Sequence, residues 1–140
     1  MEINRLRYHS IGDIMTQKII VDSCGWVAII DSGINFELEL ERMFGNYQLI
    51  LLDSVLSELE SLEIERPRRK SLLLDMLKLK SVTMDSFEKS HTDDFIFELS
   101  KQDGYAVLTI DKALKKRLYQ SGCSVVEVAK NNHLRHVEGL

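Results

Sequence analysis

Short apolar runs alternate with helix-like segments along most of this chain. Five runs have the length and composition of buried strands: KIIVD (18–22), LILLD (49–53), SVTM (81–84), AVLTI (106–110) and SVVEV (124–128). The segments between them carry apolar residues at helical spacing, and several end at a glycine. Strands that alternate with helices form a parallel sheet that is covered on both faces. The pattern therefore predicts an α/β fold with a central parallel sheet of about five strands.

The 140 residues fit one domain with a substantial core. We interpret residues 1–14 as an N-terminal extension and residues 15–140 as a single domain, although Met15 lies so close to the first strand that it could itself be the start. The tail KNNHLRHVEGL is expected to be peripheral. No apolar run reaches the 18 or so residues of a membrane span, and no secretory signal precedes the domain, so we expect a cytoplasmic protein with no membrane partner.

Four carboxylates lie close to the ends of the predicted strands or the starts of the predicted helices. Asp22 closes the first run, Glu58 lies five residues beyond the second, Asp93 opens a helix-like stretch and Asp111 follows AVLTI. A parallel sheet gathers the carboxyl ends of its strands along one edge. Four acids there would repel one another by roughly 3–4 kcal/mol per close pair at an effective dielectric near 20. Because a divalent cation would relieve that repulsion, the pattern indicates a metal-dependent phosphodiesterase.

Each acid also has a simpler interpretation. Asp111 stands where a helix N-cap belongs, and Asp22 could be a polar strand terminus. Asp93 could simply be stabilised by the positive end of a helix dipole, and Glu58 could be one of several solvated acids on its helix. The joint placement of four acids at one sheet edge favours the metal site over four independent roles.

Other chemistries find less support in the sequence. There is no phosphate-binding glycine loop, no H-E-x-x-H and no G-x-S-x-G. Cys24 and Cys123 are isolated within apolar surroundings, which predicts reduced core thiols. The net charge of −4 argues against indiscriminate nucleic-acid binding, although basic residues cluster locally, for example at Lys112, Lys115 and Lys116.

The chain resembles the PIN domain family of small metal-dependent ribonucleases from Lys18 to about residue 128. VDSCGW (21–26) is similar to the family's opening motif and DSVLSELE (53–60) to its second, which carries the glutamate. TDDFIFELS (92–100) is similar to the third, with the acid at Asp93, and VLTID (107–111) to the closing T-x-D element. Two departures are a Leu-Asp where many relatives have proline, and the cysteine at position 24.

The resemblance implies a three-layer α/β/α fold and hydrolysis of RNA phosphodiester bonds. It implies Mg²⁺ or Mn²⁺ held directly or through water by Asp22, Glu58, Asp93 and Asp111. Ser23 and Thr109 would orient those carboxylates. Lys112, Lys115 and Lys116 follow Asp111 closely, and we interpret them as candidate contacts to RNA phosphates.

Two branches of the family stay open. The segment GYAVLTIDKALKKRLYQSGCSVVEV favours the branch of archaeal PIN proteins that are similar to the ribosomal-RNA-processing nucleases. The alternative is the toxin of a toxin–antitoxin pair, whose partner would be an antitoxin protein. A non-catalytic PIN-like scaffold in an RNA-processing assembly is a third alternative. A homodimer is consistent with the resemblance, and the apolar helix around Leu72–Leu77 could form its interface or belong to the core.

Overall fold

A computed structural model describes residues 16–63, 75–86, 91–130 and 133–139. The expected N-terminal extension, Met15 and the start of the helix around Leu72–Leu77 lie outside these residues. Residues 75–79 are helical, and Leu77 within them is buried in the core. No helix in the described ranges is long and apolar enough to cross a membrane.

The described chain alternates strands and helices in the predicted order. The strands are β1 (Gln17–Val21), β2 (Tyr47–Leu52), β3 (Ser81–Met84), β4 (Ala106–Leu108), β5 (Ser124–Ala129) and β6 (His133–Glu138). The helices with described bounds are α1 (Ser23–Ser32), α2 (Phe36–Phe44), α3 (Asp53–Glu63), α4 (Thr92–Asp103) and α5 (Lys112–Gln120). The arrangement is the expected three-layer α/β/α fold.

One sheet of six strands runs through the domain in the order β3-β2-β1-β4-β5-β6. The first five strands in this order are parallel. The central residues of β1, β2 and β4 are almost completely buried because helices cover both faces, whereas Val82 and Thr83 in the edge strand β3 are exposed. The chain moves outward from β1 through β2 to β3, then returns to place β4 on the other side of β1. The crevice between the carboxyl ends of β1 and β4 is therefore the topological switch point, where ligands bind in open α/β sheets.

Strand β6 corrects the expectation that the tail is peripheral, and it adds an antiparallel strand to the five parallel strands that the sequence predicts. Strand β6 pairs antiparallel with β5, from Ala129 opposite His133 to Ser124 opposite Glu138. Its signal in the sequence is weak because it is an edge strand whose charged and polar residues alternate with few apolar ones. Leu134 is the buried anchor of this strand.

Candidate active site

Asp22 lies at the carboxyl end of β1 and is 5% exposed. It is the N-cap of α1, where its Oδ1 accepts a hydrogen bond of 2.8 Å from the backbone N–H of Gly25. Its Oδ2 accepts a short hydrogen bond from the hydroxyl of Thr109. Burial raises the pKa of Asp22, and the negative charge of Asp93 raises it further, although the hydrogen bonds act in the opposite direction. The carboxylate is thus held rigidly in a place where its charge is poorly solvated.

Cys24 is part of this site, which corrects the expectation that it is a core thiol. Its side chain is half-buried, and its Sγ lies 3.2 and 3.3 Å from the two carboxylate oxygens of Asp22. Burial and the charge of Asp22 raise the pKa of the thiol. Because a protonated thiol can donate, Cys24 adds a weak hydrogen bond to the carboxylate. Cys123 is buried, as expected.

Gly25 lets the start of α1 approach β4, and it is a site residue outside the predicted set. A Cβ at this position would lie 2.6 Å from the backbone oxygen of Leu108 and 2.9 Å from Oδ1 of Asp22. Only a residue without a side chain leaves both atoms in place. The signal in the sequence is a glycine three residues after a candidate N-cap, which is too common to be specific by itself.

The end of β4 supplies Thr109 and Asp111. Thr109 is fully buried, and its hydroxyl also accepts a hydrogen bond of 3.1 Å from the backbone N–H of Asp111. Asp111 caps α5, with Oδ1 accepting from the N–H groups of Ala113 and Leu114 at 2.8 and 3.1 Å. The predicted capping role of Asp111 is therefore present, and both cap bonds use the same oxygen.

Glu58 and Asp93 line an open cavity of about 460 Å³ between α3, the start of α4 and α5. Glu58 is exposed, and its Oε1 accepts a hydrogen bond of 3.2 Å from the hydroxyl of Ser23. Asp93 lies in the first turn of α4. Asp22 and Asp111 follow the carboxyl ends of β1 and β4, at the same edge of the sheet.

The electrostatics connect Asp93 with each of the other three predicted carboxylates. Burial raises the pKa of Asp93, and the charges of Asp111 and Glu58 raise it further. The charge of Asp93 in turn acts on Asp22. Carboxylates that shift one another in this way share one poorly neutralised region.

The carboxylates do not form a tight cage. Within the described ranges, no three acidic, histidine or cysteine side chains are grouped closely enough to hold one metal ion together. The structure thus brings the four acids into one electrostatic neighbourhood but leaves space for water among them.

Arg117 is a cavity residue that the predicted site did not include. It lines the cavity, donates a hydrogen bond of 2.7 Å to Asp94, and its guanidinium lies 4.5 Å from the ring centre of Phe97. Both partners of this ion pair are about half exposed, so the pair is readily exchanged. His91 and Thr92 complete the cavity wall. Helical spacing places Arg117 on the same side of α5 as Ala113 and on the opposite side from Lys115. It does not show which of these two sides packs against α4.

The three predicted lysines lie apart from this cavity wall. Lys115 forms an ion pair with Glu127 at 3.6 Å and lines a second cavity on the other side of α5. Lys112 and Lys116 are exposed on α5. Their contact with RNA stays a prediction.

A solved structure of the PIN domain class agrees with this architecture. The solved structure described as "Structure of the PIN domain endonuclease Utp24" aligns with a TM-score of 0.72 and 24% identity, over 88% of this chain and 94% of that one. "Crystal structure of PAE2754 from Pyrobaculum aerophilum" aligns with a TM-score of 0.49 and 12% identity, over 72% and 79% of the two chains. No curated protein matches the sequence.

A family model described as "PIN like domain" matches residues 19–131, which is well over half of the chain. The matched region begins in β1 and includes every predicted site residue, from Asp22 to Lys116. This chain therefore belongs to the PIN-like domain family.

Proposed function

We propose that this protein is a metal-dependent endoribonuclease that hydrolyses phosphodiester bonds in RNA processing. The observation that carries the proposal is the placement of Asp22. It is a buried carboxylate at the switch point of the sheet, held by donors on both oxygens and repelled by Asp93. A protein that needed only a helix cap would not require a second acid in electrostatic contact with it. The similarity to a structure described as a PIN domain endonuclease supports the nuclease class.

Mg²⁺ or Mn²⁺ fits the donor set that is present. Asp22, Glu58, Asp93 and Asp111 offer hard oxygen donors, which these cations prefer. Mg²⁺ usually keeps several waters and binds through one or two carboxylates. That habit suits acids that share one region without forming a tight cage. When bound, the cation would lower the pKa of a coordinated water and balance charge on the phosphate.

The protein's own residues prepare this site. The hydroxyl of Thr109 and the N–H of Gly25 hold Asp22 in one orientation, and Ser23 does the same for Glu58. Groups that are fixed before the substrate arrives need no reorganisation during the reaction. The amino ends of α1, α4 and α5 add positive potential around the carboxylates.

Arg117 is suited to receive a phosphate at the cavity wall. Its exposed ion pair with Asp94 keeps the guanidinium in place, while a phosphate could replace that carboxylate. Guanidinium groups bind phosphate oxygens in a bidentate manner. We infer that Arg117 neutralises the substrate backbone next to the acids, which would otherwise repel it.

The test is cleavage of end-labelled single-stranded and structured RNA with Mn²⁺. Omitting the metal by adding EDTA, or introducing Asp22→Asn, should abolish cleavage. Asp103→Asn is the matched control, because it removes the same charge at the far end of α4, and it should leave activity unchanged. Cleavage that survives both EDTA and Asp22→Asn would refute the metal-dependent mechanism.

A thermal melt separates a silent enzyme from a scaffold. A cation that binds only the folded protein stabilises it by about 2.7 kcal/mol at a concentration 100 times its Kd. We expect Mn²⁺ to raise the Tm of the wild type and of Asp103→Asn, and not of Asp22→Asn. If Mn²⁺ neither stabilises the protein nor supports cleavage, an RNA-associated scaffold becomes the better interpretation.

A further inference from the structure

A second charged cavity lies on the other side of α5 from the acids. It has a volume of about 510 Å³ and is lined by Lys115, Glu127, Val128, Ala129, Lys130 and Arg135. We call it the basic cavity. Strand β5 is parallel to β4, so its carboxyl end at Ala129 lies at the same edge of the sheet as Asp22 and Asp111. The basic cavity and the acidic site therefore open along one edge of the domain.

Glu127 organises the positive groups around this cavity. Its Oε1 accepts a hydrogen bond of 2.6 Å from Arg135, and its Oε2 lies 3.6 Å from Nζ of Lys115 and accepts a short hydrogen bond from Tyr119. Partial burial would raise the pKa of Glu127, but the bonds from Tyr119 and Arg135 and the charge of Lys115 hold it below its ordinary value. Glu127 thus stays ionised at neutral pH and fixes the surrounding donors.

The basic cavity keeps an excess of positive charge. Lys115, Lys130 and Arg135 contribute three positive charges against the single negative charge of Glu127, which leaves +2. Lys130 is exposed at the start of the β5–β6 turn, and the side chain of Arg135 is 64% exposed. Arg135 has five N–H donors, so it can bind a further anion while it contacts Glu127. The positive charge of the basic cavity thus contrasts with the net charge of −4 of the whole chain.

The two cavities are separated by the width of α5. Lys115 and Arg117 are two residues apart, about 200° around the helix, so they face opposite sides. Arg117 accordingly lines the acidic cavity and Lys115 the basic one. A helix with its side chains is about 10–12 Å wide. That distance corresponds to only a few nucleotides of one strand.

We propose that the basic cavity binds backbone phosphates of the RNA a few nucleotides from the bond that is cleaved. The strand would cross α5 from the acidic cavity, where Arg117 stands in the last turn of the helix, to Lys130 and Arg135 at the basic cavity. This inference rests on the proposed function for the identity of the ligand. It explains how an acidic protein with a carboxylate-rich site can hold a polyanion, because the binding charges lie beside the catalytic acids.

The test is the binding of a labelled single-stranded RNA in EDTA at 50 to 300 mM salt, with the RNA checked for integrity afterwards. Lys130→Gln combined with Arg135→Gln removes two of the proposed contacts. Each phosphate contact to a single strand contributes about 0.7 to the slope of log Kd against log salt. The slope should therefore fall by about 1.4, with an increase in Kd of about tenfold at 0.15 M salt. Lys130→Gln alone, which disturbs no bond to Glu127, should lower the slope by about half as much.

Lys18→Gln combined with Lys101→Gln is the matched control. It removes the same charge from β1 and from the last turn of α4, remote from the carboxyl ends of the strands. We expect this control to bind RNA as the wild type does. Equal effects of the two double variants, an unchanged slope in the Lys130/Arg135 variant, or no RNA binding by the wild type would each overturn the proposal.

The same proteins, assayed for cleavage with Mn²⁺, separate the two proposals. The Lys130/Arg135 variant should raise KM about tenfold with little change in kcat, since it removes contacts shared by substrate and transition state. If the Lys130/Arg135 variant binds RNA more weakly than the wild type, but the wild type never cleaves RNA, the basic cavity is supported and the nuclease is refuted. Normal cleavage and binding by the Lys130/Arg135 variant would do the reverse.

Discussion

Replacing Gly25 by alanine tests whether the close approach of α1 to β4 builds the site. The added Cβ would lie 2.6 Å from the backbone oxygen of Leu108, and ordinary van der Waals contact begins at 3.4 Å. The two elements must therefore separate by up to 0.8 Å, the difference between these distances. The Cβ would also lie 2.9 Å from Oδ1 of Asp22, the atom that accepts the hydrogen bond from residue 25.

The expected loss of stability follows from two opposed effects. Overpacking of a closely packed region costs about 1–3 kcal/mol. Alanine is better than glycine inside a helix by up to about 1 kcal/mol, but residue 25 lies in the first turn of α1, where that gain is reduced. We therefore expect Gly25→Ala to lower the free energy of unfolding by about 1–2 kcal/mol. In a domain of this size the Tm should fall by about 3–8 °C.

The informative measurement is the Tm with and without Mn²⁺, together with RNA cleavage at a temperature where the variant is folded. Gly104→Ala is the control, because Gly104 has φ 73° with no neighbouring atom within 4 Å of the added Cβ. Left-handed backbone strain should cost it about 1–2 kcal/mol, at the far end of α4. Gly104→Ala should keep the response to Mn²⁺ and cleavage, whereas Gly25→Ala should lose most of both. If Gly25→Ala keeps the Tm and the Mn²⁺ response of the wild type, the approach of α1 to β4 does not position Asp22.

Four further substitutions, at three residues, test the carboxylates and their donors. Thr109→Val removes the hydroxyl that donates to Oδ2 of Asp22. Unfolding by urea should therefore show a loss of about 1–3 kcal/mol, and a stability equal to the wild type would contradict this. Asp111→Asn should keep the cap of α5 and change the free energy of unfolding by less than about 0.5 kcal/mol, yet reduce cleavage. Asp111→Ala should reduce cleavage and also lose about 0.5–2 kcal/mol of stability. Full cleavage by Asp111→Asn would leave Asp111 with only the capping role. The raised pKa of Asp22 means that its protonated form is favoured in the folded state, so the stability it contributes at low pH is lost as the pH rises through that pKa. In EDTA, Asp22→Asn should therefore melt above the wild type at pH 7, with a smaller difference near pH 4; a lower Tm at pH 7 would refute this sign.

The sequence predicts the fold well where burial controls the pattern. Strand β1 is buried on both faces, so it is read as a continuous apolar run, and the glycines that end α1 and α4 adopt the left-handed conformation that only glycine favours. Strand β6 was missed because an edge strand is half solvated and carries little apolar signal. Strand direction also places Asp22 and Asp111 at one edge of the sheet, because β1 and β4 are parallel.

The sequence pattern does not predict the distances between side chains within the site. The role of Gly25 depends on how closely a helix approaches a neighbouring strand, and the role of Arg117 depends on which side of α5 packs against α4. Both are consequences of packing between elements that are distant in the chain. Cys24 shows the same limit, since its apolar neighbours along the chain suggest the core, while its actual partner is the carboxylate of Asp22.

The capping and metal-binding roles of the acids are compatible. Asp111 uses Oδ1 for both cap bonds, and among the described residues its Oδ2 has no hydrogen-bond donor. Capping therefore fixes the carboxylate and leaves one oxygen for another ligand. Each helix amino end also lowers the free energy of a nearby carboxylate by about 0.3–1 kcal/mol. The pKa values of Asp22 and Asp93 are raised nevertheless, so the helices do not fully offset burial and mutual repulsion. A divalent cation would relieve the remaining cost of burial and mutual repulsion. Because this cost is present only in the metal-free protein, the stability of the fold should depend most strongly on metal at neutral pH.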